Sequence, residues 1–531
     1  MLAAVLLRLA NVGQGQIRRK EIMNRREFLA ATAAAAAASA SSTLLPASAQ
    51  SMVNSGAPAN PDPYIEQIPV PEYRHASPAA YEAFQDMKFG ARIHWGIYSI
   101  WHRGAESWPY LSMSFEDRQR YNFLYQTWNP VGFDADGWTD VFKDSGMRMF
   151  AFTTKHHEGF CMFDTKTRVR NRANWTAPRG PQIEECDLAY SIMETPFRRD
   201  VVKELCNAAH KRGLKIDLYF SHPDWYDADF RPYVEHPFQV PSSPELLTSR
   251  DLRATHSVYT DHPVIVPDPT VQQAARMMER HRAQLVELLS NYGTIDMMCL
   301  DMWLGPRVWP EMRKTLLKIR EIQPDVMLRD RGIGNYGDYD TPERVIPGSN
   351  RATSMPWFCI YPLGTNFSYD SVASNYKGTQ WIVHNLADTV AKGGGLMVGV
   401  GPSPNGEFHP EAIRQMKAAG QWLAVNGEAI YATRARDGEL WAEGDGVRYT
   451  RSKDGRTVYA ILTEWPGAQI ALERVRPEPG SKVCLLGSHA TIRWSYDSAK
   501  GTTVIFPENL QQSDNRPCEF AWCLKLEIAK A

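Results

Sequence analysis

The chain has no excess of charge of either sign and no long apolar run beyond its first 50 residues. Its 59 Lys and Arg and its 60 Asp and Glu leave a net charge of -1, and its pI is about 6.9. A surface without a basic excess argues against nucleic acids and anionic membranes as partners. No later segment approaches the roughly 18 uninterrupted apolar residues of a membrane span. We therefore expect a soluble mature protein that binds no nucleic acid.

The apolar stretch near the N-terminus is typical of an export signal. The pair Arg25-Arg26 precedes the alanine-rich run Ala30–Ala40, and Ala47-Ser48-Ala49 fits an A-x-A cleavage site. This order is similar to that of a twin-arginine signal. We predict a signal peptide over residues 1–49 and a periplasmic or secreted mature protein, with a disordered alanine-rich leader as the alternative.

Cysteine motifs for metal or redox chemistry are missing. The eight cysteines include no C-x-x-C pair, which argues against a zinc ribbon and against a dithiol redox motif. A twin-arginine substrate folds before export in a reducing cytoplasm, so we expect mostly free, buried thiols. The run Gly393-Gly394-Gly395 is not followed by G-K-[ST] and is interpreted as a tight turn rather than a phosphate-binding loop.

Five apolar runs each end in polar residues, and amphipathic helical patterns lie between the runs. They are Ala91–Ile93 before His94, Met147–Phe152 before the stretch Thr153–Phe160, Lys215–Phe220 before Ser221 and His222, Ile295–Leu300 before Asp301, and Val326–Leu328 before Arg329, Asp330 and Arg331. Alternating strand and helix patterns indicate parallel strands, and α/β barrels keep their chemistry just beyond such strands. We predict an α/β fold, a (β/α)8-type (TIM-like) barrel over residues 73–434, after a linker over residues 50–72.

Short alternating runs separated by Gly, Asp and Pro follow the barrel. They predict a C-terminal β-sandwich over residues 435–531. The last barrel helix is predicted over Pro410–Asn426, with Gly427 as its stop. Within the barrel, the Pro- and His-rich insertion Ser221–Pro269 is predicted to be a rim loop that shapes the substrate site.

Six sequence motifs occur in a characteristic order. They are K-F-G-A-R-I-H-W-G-I-Y-S (88–99), T-T-K-H-H-E-G-F (153–160), D-M-M-C-L-D-M-W (296–303), R-D-R-G-I-G-N-Y-G-D-Y-D-T-P-E (329–343), G-V-G-P-S-P-N-G (399–406) and W-L-A-V-N-G-E-A-I-Y (422–431). Together they resemble glycoside hydrolase family 29, the α-L-fucosidases, over essentially the whole mature sequence. The resemblance implies a retaining exo-glycosidase that removes terminal α-L-fucose from a fucosylated oligosaccharide or glycan, with no cofactor and no metal.

Retaining hydrolysis requires two carboxyl groups about 5 Å apart, one as nucleophile and one as acid and then base. Asp301 ends an apolar run, so its carboxylate should project into the rim, and its position matches the nucleophile of the family. A structural Asp that caps a loop or helix is the alternative. Glu343 lies twelve residues beyond Arg331, the spacing at which the family carries an acidic residue after its sugar-binding arginine. The resemblance therefore implies Glu343 as the acid/base.

The acid/base assignment leaves alternatives open. Thr341-Pro342-Glu343 could instead open a helix, with Thr341 as its cap. Some relatives carry the glutamate directly after a Pro-Trp pair, where this chain has Phe358. Further alternates are Asp330, Asp338 and Asp340.

The resemblance also implies a set of sugar-binding residues. His94, His156 and His157 match the family's ligands of sugar hydroxyls, and Tyr219 matches its pocket tyrosine. Arg331 matches the arginine beside the nucleophile. Glu106 and Trp108 match the Glu-Trp pair of the first rim loop. Ser107 is an extra residue within the Glu-Trp pair, and Trp303 is a candidate floor of the pocket. A core-packing role is the alternative for single members of this set.

Two other functions remain open. Clustered histidines can bind a metal, but adjacent His156 and His157 are expected to point apart on a strand, and no H-E-x-x-H motif accompanies them. A non-catalytic carbohydrate-binding protein on the same barrel is the second alternative. Cys299, Leu300 and Arg329 depart from the family pattern, and a smaller residue at 299 could admit a related sugar such as an α-L-galactosyl unit.

Overall fold

The computed structural model of the chain describes residues 64–231, 236–238, 269–348 and 355–528. The predicted signal peptide, most of the predicted linker and most of the predicted rim insertion lie outside these residues.

Seven parallel strands form the sheet of the first domain, and two more form a separate antiparallel hairpin. The strands are β1 (Phe89–Ile93), β2 (Met149–Lys155), β3 (Val169–Asn174), β4 (Gln182–Leu188), β5 (Lys215–Ser221), β6 (Met297–Asp301), β7 (Met327–Leu328), β8 (Phe358–Pro362) and β9 (Gly395–Gly399). β3 pairs with β4, and the parallel sheet has the order β7-β6-β5-β2-β1-β9-β8. Every residue of β1, β2 and β6 is buried, as expected for strands covered on both faces.

An irregular segment, residues 339–343, lies between the two ends of this sheet. Single parallel bridges join Tyr339 to Arg329, just beyond β7, and Glu343 to Ile360 in β8. The segment takes the place of the eighth strand of the predicted (β/α)8-type barrel. Glu343 therefore lies at the same edge of the barrel as the carboxyl ends of the regular strands.

Nine α-helices occur within the described ranges, most of them following a strand. They are α1 (Pro78–Met87), α2 (Tyr98–Trp101), α3 (Phe115–Tyr121), α4 (Ala135–Asp144), α5 (Val201–Arg212), α6 (Val271–Ser290), α7 (Trp309–Ile322), α8 (Thr379–Ala391) and α9 (Pro410–Asn426). Local capping explains several ends: the side chain of Thr270 starts α6 in a capping box with Gln273, and Gly213, at a φ of 66°, ends α5. Among these described helices none is long and apolar enough to cross a membrane.

The C-terminal part consists of two packed antiparallel sheets, which confirms the predicted β-sandwich. Its strands are β10 (Arg434–Ala435), β11 (Ala442–Glu443), β12 (Val447–Arg451), β13 (Thr457–Leu462), β14 (Gln469–Leu472), β15 (Val483–Leu485), β16 (Arg493–Asp497), β17 (Gly501–Ile505) and β18 (Trp522–Glu527). One sheet has the order β10-β12-β13-β18-β15, with β11 added to β12, and the other has the order β14-β17-β16. Tyr449 and Leu524 from the first sheet share a buried core with Leu472 and Val504 from the second.

All eight cysteines lie in the described ranges, and each is a free thiol. Five are buried, and Cys484 alone among the eight is exposed. This agrees with the expectation of mostly free, buried thiols.

Candidate active site

Asp301, the last residue of β6, is buried at the carboxyl edge of the barrel and is surrounded by hydrogen-bond donors. Its Oδ1 accepts a hydrogen bond from Arg331 at 3.0 Å and one from Arg329 at 3.2 Å, and its Oδ2 accepts one from the hydroxyl of Tyr219 at 2.6 Å. Burial by itself raises the pKa of Asp301, but the two guanidinium groups outweigh burial and hold the pKa well below its usual range. The carboxylate is therefore ionised at neutral pH, as a nucleophile must be.

One guanidinium group joins the two predicted catalytic carboxylates. Arg331 donates from Nη1 to Asp301 and from Nη2 to Oε2 of Glu343, the latter at 3.1 Å. The helix considered as an alternative at residues 341–343 does not form, because the backbone there pairs with β8: the carbonyl of Pro342 accepts from the amide of Ile360 at 2.9 Å. Two carboxyl groups on one guanidinium suit the short separation of about 5 Å that a retaining pair needs.

The three predicted sugar-binding histidines lie beside this pair. His157 has its Nε2 at 3.9 Å from Oδ2 of Asp301. His156 stacks on the ring of Tyr219, with centroids 5.6 Å apart and ring planes at 14°, and the His94 ring lies 5.5 Å from the same tyrosine. Burial lowers the pKa of His156 to about 3 and holds the pKa of His94 and His157 well below the usual range. All three rings are therefore neutral, and each carries one donor and one acceptor nitrogen.

The expectation that His156 and His157 point apart is wrong. β2 ends at Lys155, so the two histidines occupy a turn closed by a hydrogen bond from the amide of Gly159 to the carbonyl of His156 at 3.0 Å. Their ring centroids are 4.2 Å apart. The two rings nevertheless belong to no metal cluster, since within the described ranges no group of three or more His, Cys, Asp or Glu side chains is placed to hold a metal ion.

Glu106 in the first rim loop is a second buried carboxyl group near the pair. Its Oε1 accepts a hydrogen bond from the amide of Ser368 at 3.1 Å. Burial raises its pKa, and the charge of Glu343 raises it further. Glu106 therefore holds its proton more tightly than an ordinary glutamate, which is a property that a general acid requires.

The next two residues of the same loop contact the histidines. The Ser107 hydroxyl is hydrogen-bonded to Nδ1 of His156. Trp108 lies edge-on to His157, with ring centroids 4.8 Å apart, and 36% of it is exposed. The extra serine within the Glu-Trp pair is thus itself part of the site.

Trp303 is less closely tied to the site. It lies two residues beyond Asp301, partly buried, and its backbone packs against Gly332, where an added Cβ would lie 3.1 Å from the Trp303 Cα. The structure therefore places it next to Arg331 without fixing a contact to the carboxylates.

The alternate acids Asp330, Asp338 and Asp340 lie on the segment that precedes Glu343. Asp338 forms ion pairs with Arg320 and with His75, the latter at 2.9 Å. The amide of Asp330 donates to the carbonyl of Tyr339 at 3.0 Å, and the amide of Asp340 donates to the carbonyl of Pro356 at 3.1 Å. The backbone of both residues therefore belongs to the framework of the loop. Phe358 is buried in β8. Glu343 remains the carboxylate that shares a guanidinium with Asp301.

Two buried arginines lie beneath the pocket; Arg92 was not singled out from the sequence, and Arg329 was noted only as a departure from the family pattern. Arg92 and Arg329 each donate from Nη1 to the sulfur of Cys299, both at 3.2 Å. Arg92 lies two residues before His94, and Cys299 lies two residues before Asp301. Side chains two apart on a strand share a face, so this period-2 relation was the signal that could have found them.

Replacing Arg329 with Met is expected to shift the pH dependence of any activity that uses ionised Asp301. The guanidinium favours the charged carboxylate, so its loss raises the pKa of Asp301. The carboxylate of the variant is then protonated at a higher pH than that of the wild type. We expect the acidic limb of the kcat/KM profile to shift toward higher pH by about one pH unit or more.

The Arg329→Lys variant should keep most of the normal profile. Arg282→Met is a matched control, because Arg282 pairs with Glu311 on α7 away from the site. An acidic limb that stays in place in a folded Arg329→Met variant would show that Arg331 and the other neighbours of Asp301 keep it ionised without Arg329.

Two family profiles match successive parts of the chain. The family profile described as Alpha-L-fucosidase matches residues 70–428, and the one described as Alpha-L-fucosidase C-terminal domain matches residues 443–527. Tissue alpha-L-fucosidase from Homo sapiens is 25% identical over 472 residues, covering 84% of this chain and 89% of that protein. Alpha-L-fucosidase isoenzyme 1 from Paenibacillus thiaminolyticus has a similar structure, with a TM-score of 0.67, 25% identity and coverage of 85% of this chain and 99% of that one.

A further similar fold is a GH29 alpha-L-fucosidase from Bacteroides thetaiotaomicron, solved as a trapped covalent intermediate. Its TM-score is 0.66 at 23% identity, and the match covers 87% of this chain and 100% of that one.

Proposed function

The chain belongs to the α-L-fucosidase family of glycoside hydrolases, and from this premise we propose that it hydrolyses terminal α-L-fucosidic bonds with retention, using Asp301 as nucleophile and Glu343 as acid and base. The observation that carries the assignment is the single guanidinium of Arg331, which holds both carboxylates. The Bacteroides relative solved as a covalent intermediate supports a two-step route for this fold.

In the first step a carboxylate oxygen of Asp301 forms a bond to the anomeric carbon while the bond to the leaving oxygen breaks. Glu343 gives its proton to that oxygen, so the aglycone departs as an alcohol. In the second step Glu343 takes a proton from water, the resulting hydroxyl attacks the anomeric carbon, and Asp301 leaves as a carboxylate. Two inversions at one carbon give net retention.

The neutral histidines suit recognition of an uncharged sugar. His94, His156 and His157 each offer one donor and one acceptor, and Trp108 offers a partly exposed aromatic face to the apolar side of the ring. Glu106, whose pKa burial raises, is positioned near the pair to bind a sugar hydroxyl. We propose a fucosylated oligosaccharide or glycan as the substrate.

Residue 299 offers less support for an enlarged sugar subsite than its small size suggests. The space around the Cys299 sulfur is taken by the guanidinium groups of Arg92 and Arg329. α-L-Galactosides remain the second candidate substrates, since the departures from the family pattern lie next to the nucleophile.

The experiment that tests the function is release of nitrophenol from an aryl α-L-fucoside, with the α-L-galactoside in parallel and a chelator in a further sample. Proton NMR of the first sugar released identifies its anomer. We expect turnover on the fucoside, no effect of the chelator and α-L-fucose as the initial product. Initial β-L-fucose would contradict retention, and tight fucose binding with no turnover on any aryl or glycan fucoside would favour the carbohydrate-binding alternative.

Export through the twin-arginine route is part of the same proposal. It rests on Arg25-Arg26 and the A-x-A site at residues 47–49, which lie outside the described residues. We expect Arg25→Lys with Arg26→Lys to retain the unprocessed protein in the cytoplasm, which cell fractionation and N-terminal sequencing would measure. Normal processing of this double variant would contradict the route.

A further inference from the structure

A buried carboxyl group, Glu158, lies behind the sugar-binding histidines and has no part in the proposed mechanism. Only 2% of it is exposed. The turn that carries it is fixed by Gly159, whose φ is +86° and whose Cα faces the Asp224 carboxylate so closely that an added Cβ would lie 2.1 Å from it. The backbone therefore places Glu158 under the pocket rather than in solvent.

Ser107 connects Glu158 to His156. Oε2 of Glu158 lies 3.7 Å from Nδ1 of His156, and the Ser107 hydroxyl is hydrogen-bonded to the same nitrogen and lies beside the Glu158 carboxyl group. Neither Glu158 oxygen has a well-formed hydrogen bond to another described group. A buried carboxyl group with so few hydrogen-bond partners is costly to ionise, which favours its protonated form.

We propose that Glu158 is a positioning residue for the sugar-binding His156 and that it acts through the hydroxyl of Ser107. The proposal rests on the function proposed above, because it assigns His156 to the sugar. When Glu158 carries its proton, it donates to Ser107, and Ser107 donates to Nδ1 of His156. Nδ1 is then an acceptor, so the ring proton lies on Nε2, the opposite nitrogen, which becomes a donor toward a sugar hydroxyl.

Loss of the Glu158 proton reverses the direction of these hydrogen bonds. The carboxylate accepts from Ser107 or directly from the ring, which moves the proton of the neutral imidazole to Nδ1 and makes Nε2 an acceptor. Burial raises the pKa of Glu158 to about 8, so the proton is present at neutral pH and is lost as the pH rises through about 8. The donor at Nε2 should disappear over the same range.

Other titratable groups face Glu158 and have to be distinguished from it. Those that share its electrostatic environment are Lys155, Asp224, Tyr98, Tyr121 and Tyr190. Lys155 matters most, because burial lowers its pKa to about 8 as well. An alkaline limb alone therefore does not identify Glu158, and a variant is needed.

The test is the pH profile of kcat/KM for an aryl α-L-fucoside from pH 5 to 10 in the wild type, Glu158→Gln and Ser107→Ala. We expect the wild type to lose about tenfold in kcat/KM above pH 8. Glu158→Gln keeps a neutral donor to Ser107 and should retain the neutral-pH value within about twofold while losing the alkaline limb. Ser107→Ala breaks the connection and should fall about tenfold at neutral pH, also without the limb.

Asp200→Asn is the control, because Asp200 is a partly buried carboxyl group whose pKa burial also raises, and it caps α5 away from the site. It should leave both the plateau and the limb unchanged. An alkaline limb that persists in Glu158→Gln would assign it to Lys155 and overturn the proposal.

The ring tautomer provides a readout that does not depend on turnover. ¹⁵N NMR of His156 should show the Nε2-protonated ring at pH 7 and the Nδ1-protonated ring above pH 9, with no change in Glu158→Gln. A wild-type protein without fucosidase activity that shows this switch would refute the proposed function alone. An active wild type with a fixed tautomer would refute only the role of Glu158.

Discussion

Asp301→Gly is expected to lower kcat on an aryl α-L-fucoside by at least about 10³-fold while the protein remains folded. The variant keeps Glu343 and the sugar-binding histidines but has no atom to bond to the anomeric carbon. Azide should restore turnover, because a small anion fits the space left by the carboxylate and is attracted by Arg329 and Arg331, which flank it. The product should be β-L-fucosyl azide, since the external nucleophile attacks from the face that Asp301 used.

Two further variants separate loss of chemistry from loss of structure. Asp301→Asn keeps the shape of the side chain and should be equally inactive, with azide rescue weaker because the space is filled. Asp296→Asn is the control. Asp296 directly precedes β6, at the end opposite Asp301, and forms an ion pair with Lys215, so activity should be unchanged. If Asp301→Gly keeps its rate within about tenfold, or if azide yields the α-azide, Asp301 is not the nucleophile.

Glu343→Ala is expected to produce a loss that depends on the leaving group. Without a general acid, a poorly acidic phenol or a sugar alcohol has to leave unprotonated, and kcat/KM should fall by about 10²–10⁴-fold. A dinitrophenolate needs no proton to leave, so its kcat/KM should fall far less. Its kcat should still drop, because no base activates water in the second step, and its KM should drop with it as the fucosyl-enzyme accumulates.

Azide needs no base and should therefore raise the rate of Glu343→Ala on the dinitrophenyl fucoside, giving α-L-fucosyl azide. Glu184→Ala is a matched control, because Glu184 is also paired with an arginine, Arg172, but lies on the β3–β4 hairpin. Glu106→Gln is the decisive comparison. If the dependence on leaving group appears in Glu106→Gln and not in Glu343→Ala, the acid is Glu106, whose pKa burial raises.

The fold could be predicted because its signals are local. Buried parallel strands flanked by amphipathic helices produce the apolar runs that end at His94, His156 and Asp301, and the alternating pattern beyond residue 434 follows from one-sided burial in a sandwich. Pro410–Asn426 was predicted to the residue because a proline and a glycine mark its two ends. The eighth barrel position gave no such signal, since residues 339–343 pair through single bridges rather than a regular strand.

For the site, the sequence by itself determined which chemical groups stand at the carboxyl ends of the strands, because a strand end is a local feature. The tertiary structure alone decided how they meet. It placed Asp301 and Glu343 on one guanidinium, turned His156 and His157 toward each other, and brought Ser107 against His156 across 49 residues of chain. It also decided the direction in which the pKa values of Glu106, Glu158 and the histidines are shifted, since burial and neighbouring charge set a pKa and both depend on residues distant in sequence.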